Sequence, residues 1–241
     1  MFVLFRLALR RLRSPADYRK LQSYIAEKSI AELKARGVVF SSASVLELGA
    51  GDGGYSLILN RESQCFIASD LQKSPWVETS KIPFVQFDVL KSFPFKNNTF
   101  DLIYCSSVIE HIPNPDHLLK ECRRILKPEA KLYLSFPPFF SLALVGGHQF
   151  KPFHLFGEKI AIRLANFVGR ANYENYASAF GKFGLYPLTV DQVKNLITAH
   201  NFEIIDIFTR MSPINTARFP GIIKDLMTWH ACYLSRPSKE S

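Results

Sequence analysis

Apolar residues fall along the chain in two textures. Over residues 14–37 they recur at helical spacing, with Tyr18, Leu21, Ile25 and Leu33 separated by polar positions. Ser14-Pro15-Ala16-Asp17 reads as the start of that helix: a capping hydroxyl, a proline in the first turn and an acid at the positive dipole end. Gly37 is a natural stop. Beyond residue 44, short apolar runs alternate with helical segments. The runs at residues 45–48, 65–68, 84–87, 100–105 and 131–136 predict strands, and the glycine-rich turn GAGDGG leads from the first into a short helix over residues 55–60. Such alternation predicts a buried, mainly parallel sheet with helical crossovers.

Two further helices carry clear end signals. Asn114 can cap, Pro115 takes the first position and Asp116 follows; Leu118, Leu119, Cys122, Ile125 and Leu126 form the apolar face, and Pro128 is the expected stop. Lys120, Arg123, Arg124 and Lys127 read as a solvated face. Thr189 with Gln192 forms a capping box and Leu188 with Val193 a hydrophobic staple. Residues 202–208 and 229–234 are strand-like. Residues 137–188 are too long for an ordinary connection and predict an inserted lid, rich in aromatic rings that form a small core and line a pocket. Residues 132–150 lack formal charge, but Pro137-Pro138 and Gly146-Gly147 argue against a spanning helix. A loop dipping into lipid through residues 139–145 is the expectation kept.

Composition narrows the class. With 47% hydrophobic and 21% charged residues in 241, the chain is neither disordered, collagen-like nor a small disulfide scaffold. Its 4 cysteines include no C-x-x-C pair, so neither a zinc cluster nor a disulfide framework is signalled. The net charge is +9, yet residues 1–20 alone hold six basic side chains against one acid. The body is only mildly basic, and no nucleic-acid partner is expected. Within residues 1–13, Phe2, Phe5, Leu9 and Leu12 share one helical face while Arg6, Arg10 and Arg13 share another. This basic amphipathic segment suits an anionic membrane surface or packing against the domain of residues 14–241, with an organellar targeting peptide as a smaller alternative. It has no uninterrupted apolar core of the signal-peptide kind, so a cytoplasmic, membrane-associated location is expected.

The chemistry centres on VLELGAGDGG. A turn without side chains between strand and helix lets a ligand reach backbone amides. Gly49, Gly51 and Gly54 fit the dinucleotide pattern G-x-G-x-x-G, while Glu47, Gly49, Gly51 and Gly53 fit E-x-G-x-G-x-G. Asp70, after the second strand, suits a ribose diol in either reading. The remainder of the region separates them: Asp88 in FVQFDV, then FDLIYCSSVIEHIPNP, then LLKECRRILKPEAKLYLS. This ordered set closely resembles the class I S-adenosylmethionine-dependent methyltransferases, in particular the small-molecule branch called type 11, over residues 44–136 and more loosely after 188.

The resemblance implies a Rossmann-like α/β fold: a doubly wound, seven-stranded, mostly parallel sheet with an antiparallel C-terminal strand and the aromatic-rich insertion after strand 5. It implies S-adenosyl-L-methionine as cofactor and no metal. Gly49, Ala50, Gly51 and Gly53 would line the methionine part, with Glu47 orienting the turn or meeting the amino group. Asp70 would hold the ribose, Leu71 would lie against adenine, Asp88 and Val89 would contact adenine, and Ser106 would border the transferred methyl. Glu110 and His111 read as pocket wall rather than an acid–base pair. His148 and His154, in GGHQFKPFH, are the candidates for a base, or hold the loop's shape. The expected acceptor is a small molecule or a lipid-linked sugar or isoprenoid, with membrane contact through residues 1–13 and 139–145. A nicotinamide-dependent reductase is the enzymatic rival, disfavoured by Asp88 and the region after the fourth strand. A cofactor-binding module without catalysis is the other alternative.

Overall fold

A computed structural model describes residues 14–142, 148, 150–169, 172–178 and 184–238; the basic start and residues 143–145 of the apolar loop lie outside the described residues. Helix α1 (Pro15–Lys34) begins at the expected cap, with Ser14 Oγ accepting the Asp17 amide, and turns Ala26, Ile30 and Leu33 inward. The strands are β1 (Ser44–Leu48), β2 (Cys65–Asp70), β3 (Phe84–Gln86), β4 (Phe100–Ser106), β5 (Leu126–Phe136), β6 (Phe202–Thr209) and β7 (Ala231–Pro237). They form one seven-stranded sheet in the order β3-β2-β1-β4-β5-β7-β6. β1 to β5 run parallel, and β7 is antiparallel to both β5 and β6. This is the doubly wound sheet that the sequence predicts. The chain winds outward from β1 to β3 and then returns to β4 on the other side. That reversal opens a crevice above the carboxyl ends of β1 and β4, where open α/β sheets take their ligands.

Both faces of the sheet are covered, which is why its strands read as nearly continuous apolar runs. α1 and α2 (Gly54–Glu62) cover one face over Val45, Tyr104, Tyr133 and Cys232. α4 (Asp116–Ile125) and α6 (Val190–Ala199) belong to the other, with Leu46, Ile103 and Leu134. The capping box at Thr189 is present in full.

Several boundaries differ from the sequence reading. Pro115 is the N-cap of α4 rather than its first residue, and the helix ends at Ile125, before Pro128. Leu126 is already extended and buried, paired with Phe100; the register then shifts so that Leu102 meets Lys131. Pro128 is exposed inside that irregular stretch, where a missing amide disrupts no regular ladder. Arg124 and Lys127 are tied rather than merely solvated, Arg124 to Glu121 and the Phe93 and Phe95 carbonyls, Lys127 to Asp101. The last strand starts at Ala231, two residues after the expected Trp229, because Trp229 turns its indole N–H onto the Arg210 carbonyl. The short helices α3 (Pro75–Thr79) and α7 (Ile223–Met227) carry no pattern long enough to read.

Between β5 and α6 the chain builds α5 (Glu158–Gly169) and two single 3-10 turns. Phe139, Phe150, Ala161, Ile162, Tyr176 and Leu185 pack into a third core belonging to this segment. The expected lipid-facing pair is therefore corrected: Phe139 is only 4% exposed and Phe140 packs against the same core. Leu142 remains half exposed. Among the described residues, no helix is long and apolar enough to cross a membrane.

Candidate functional site

The glycine turn after β1 is shaped by backbone geometry. Gly49, Gly51 and Gly53 all have positive φ, at 79°, 51° and 81°, a region that side chains disfavour. The amides of Gly49 and Ala50 donate to the Ser69 carbonyl at 2.9 Å, which staples the turn to the end of β2. A Cβ on Gly49 would meet Val108 at 2.3 Å, and one on Gly53 would meet Trp76 and Val77 at 2.6–2.7 Å. At exposed Gly51 a Cβ would meet nothing within 4 Å. That open position faces the crevice, and its amide donates to Asp70 Oδ2 at 2.9 Å. An open, side-chain-free backbone beside a partly exposed carboxylate fits the ribose of a nucleoside.

The other expected cofactor residues lie on the same sheet edge, since β1 to β4 all end there. Glu47 is buried within β1; Ser56 Oγ, on α2, donates to its Oε2 at 2.5 Å, and its carbonyl accepts Ser69 Oγ. Burial pushes the Glu47 carboxyl up to about 8 against the hydrogen bond from Ser56, so it is largely protonated near neutrality. Of its two expected roles, this geometry describes orientation of the turn. Leu71 is half-buried and its carbonyl accepts Gln86 Nε2. Asp88 Oδ1 accepts the Leu90 amide at 2.9 Å, and Val89 packs against the core. Ser106, at the end of β4, is 9% exposed.

The IEHIPNP stretch joins the cofactor side to the insertion. The Glu110 carbonyl accepts the Tyr186 amide at 2.8 Å, and His111 Nδ1 donates to the Gly184 carbonyl at 2.7 Å. Beyond this wall lies a cavity of about 400 Å³, lined by Phe139, Phe140, His154, Glu158, Tyr176 and Tyr186 among others. The two expected histidines meet here, with ring centroids 4.9 Å apart, but differ in role. His148 stacks on Phe139 at 4.4 Å and its Nε2–H donates to the Phe139 carbonyl at 2.9 Å. Burial pushes its pKa down to about 4, so it is neutral and serves the loop. His154 lines the cavity, is 2% exposed, and is also pushed down by burial, against its approach to the Phe140 and Pro152 backbone.

Glu110, read from the sequence as pocket wall, is buried, pushed up to about 8, and leaves Oε2 without a partner. One group escaped sequence reasoning altogether. Arg210, directly after β6, is 1% exposed and donates to Ser106, Ser135, Tyr133 and Tyr55. Its partners stand 75 to 155 residues away in the chain, so no local pattern could reveal it.

Comparison with known proteins follows the same lines. A family model for a methyltransferase domain matches residues 46–134. The ubiquinone biosynthesis O-methyltransferase of Xanthomonas oryzae pv. oryzae (strain PXO99A) is 29% identical over 119 residues, covering 44% of this chain and 49% of that protein. The chain thus spans about half the length of the curated relatives it matches. An S-adenosylmethionine-dependent methyltransferase from Mesorhizobium loti superposes with a TM-score of 0.58 at 16% identity, over 86% of this chain and 96% of that one. The 1,6-didemethyltoxoflavin-N1-methyltransferase of Burkholderia thailandensis, solved with that compound and S-adenosylhomocysteine bound, gives a TM-score of 0.55 at 16% identity, over 92% and 78%. At such identities the two structures show a shared fold.

Proposed function

We propose that this chain, whose residues 46–134 match a methyltransferase domain, uses S-adenosylmethionine to methylate a small-molecule or lipid-linked acceptor, of sugar or isoprenoid type, seated in the aromatic cavity. The observation that carries this reading is the open glycine turn with Asp70 on one side of the Glu110–Tyr186 wall and the aromatic cavity on the other. When bound, S-adenosylmethionine supplies an electrophilic methyl group on a sulfonium. The chain's own residues bind and align. Gly51 and its neighbours leave room for the ligand, Asp70 accepts ribose hydroxyls, and Asp88 with Val89 borders the adenine. Glu47, locked to Ser56, holds the turn in shape. His154, which lines the cavity and is pushed toward the neutral imidazole by burial, accepts the proton from an acceptor hydroxyl there. Alignment and exclusion of water account for most of the rate in such a reaction.

The lipid-linked class draws support from the outer side of the insertion. Phe156, Ile160, Phe167 and Val168 are 67%, 49%, 84% and 69% exposed, next to exposed Lys159 and Arg163. Apolar rings flanked by cations suit an anionic lipid surface. Flotation with phosphatidylserine vesicles should carry the protein upward and leave a Phe156→Ser/Phe167→Ser variant behind; equal behaviour of both would remove that support. The activity itself is tested by incubating the protein and a lipid and metabolite extract with methyl-labelled S-adenosylmethionine. Transfer of label to an extracted small molecule is expected. No transfer, together with nicotinamide oxidation in the same extract, would favour the reductase instead.

A further inference from the structure

We propose that Ser106, backed by the buried Arg210 guanidinium, is an oxyanion-binding point of the crevice, taking a carboxylate or phosphate carried by a ligand. The inference deepens the methyltransferase reading, because it places a charged ligand group beside the end of β4. It rests on how this arginine is partnered. Other well-anchored arginines of the fold pair with acids: Arg36 with Asp206 at 2.7 Å and Arg124 with Glu121 at 2.7 Å. Arg210, more buried than either, has no carboxylate at ion-pair distance among the described residues. Among the described residues its acceptors include four neutral hydroxyls: Ser106 at 2.9 Å, Ser135 at 2.5 Å, Tyr133 at 3.1 Å and Tyr55 at 3.1 Å. Its Nε–H has no partner. Glu110 and Glu32 are the carboxyls that feel its charge, and burial pushes both toward the neutral acid. His230, whose carbonyl accepts the Arg210 amide, is buried and neutral. Among the described residues no carboxylate stands at ion-pair distance from this buried charge, an arrangement that costs stability unless an anion completes it.

The hydroxyls show where that anion arrives. A hydroxyl that accepts from a guanidinium must donate its own proton elsewhere. Tyr133 faces Cys232 Sγ at 3.3 Å, and Ser135 is wholly buried. Ser106 and Tyr55 are the two placed at the carboxyl edge of the sheet, one ending β4 and the other opening α2 after the glycine turn. They flank the point between β1 and β4 where the sheet order reverses. The sulfonium of the cofactor is cationic and gains nothing from Arg210. The oxyanion is either the carboxylate at the amino-acid end of the cofactor or an acidic group of the acceptor.

Calorimetry of the wild type, Arg210→Met, Arg210→Lys and Ser106→Ala separates these sources. S-adenosylhomocysteine carries the carboxylate, and 5′-methylthioadenosine lacks it. If the cofactor supplies the anion, Arg210→Met and Ser106→Ala weaken S-adenosylhomocysteine at least tenfold, leave methylthioadenosine unchanged, and Arg210→Lys recovers part of the loss. If the acceptor supplies it, S-adenosylhomocysteine binding is unchanged. Inorganic phosphate added to the S-adenosylhomocysteine complex then shifts the Trp229 indole N–H resonance in the wild type but not in Arg210→Met or Ser106→Ala. Unchanged nucleoside affinities together with no phosphate response in any form would overturn the proposal and leave Arg210 a purely structural cation. Ser106→Ala keeps the arginine in place, so the proposal stays open to refutation even if Arg210→Met fails to fold. A wild type that binds neither nucleoside would refute the cofactor reading instead, while a phosphate response abolished in the variants would still support the anion site.

Discussion

The two walls of the crevice are built by opposite means. On the nucleoside wall, the turn from Gly49 to Gly53 is held by backbone bonds to Ser69 and one carboxylate contact from Asp70. On the proposed acceptor wall, Phe139, His148, His154 and Tyr176 hold one another by ring packing, and the insertion is tied back at Glu110, at His111 and, through the Leu142 amide, at the Leu226 carbonyl. Backbone geometry tolerates few sequences, whereas an aromatic cluster tolerates many of similar volume. On the proposed reading, a fold that fixes its cofactor with the first and its acceptor with the second can keep its donor while its acceptor changes.

The largest expected effect concerns the carboxyl groups at the base of this contrast. The folded-state pKa of Glu47 is raised from 4.5 to about 8. Its contribution is therefore fully present below pH 4.5 and is lost as pH rises through 8. That shift corresponds to at most about 5 kcal/mol, and Glu110 titrates in the same direction. Glu47→Gln should match the wild type near pH 5 and melt above it at pH 9, with a smaller fall between the two. Thermal melts across that range check it, and parallel curves would show that Glu47 is already charged in the fold.

Next in size is Phe139→Ala, which empties the centre of the acceptor wall and should cost about 3–5 kcal/mol. Affinity for S-adenosylhomocysteine should stay within about twofold, because no backbone bond of the glycine turn passes through Phe139. A matching loss of nucleoside binding would show that the walls are not separable. Gly53→Ala probes the other side: φ of 81° and contact with Trp76 and Val77 should cost about 2–3 kcal/mol and abolish nucleoside binding. Calorimetry after a melt distinguishes that outcome from simple destabilisation.

The same contrast explains what the sequence disclosed. Ser14, the Thr189–Gln192 pair and the glycine turn were legible because each works through residues within a few positions of itself. The end of α4 was misplaced because Leu126 obeys its pairing with Phe100, a partner 26 residues away, and not the nearby Pro128. Phe139 looked like a lipid-facing residue because an apolar run does not reveal which core it joins. Arg210 in FTRMSP could not be recognised, since its meaning lies in the absence of an acid across the folded crevice. His148 and His154 stand together in GGHQFKPFH, yet only the fold divides them into loop support and cavity lining.

The central claim is that the open turn at Gly51 and the Asp70 carboxylate hold the nucleoside of S-adenosylmethionine. Titration calorimetry of S-adenosylhomocysteine against the wild type and Asp70→Ala tests it most directly. A single site, weakened by about 10- to 100-fold in the variant, or about 1.4–2.7 kcal/mol, is the predicted result. Equal affinity in both proteins, or binding of NAD at that site in place of S-adenosylhomocysteine, would contradict it.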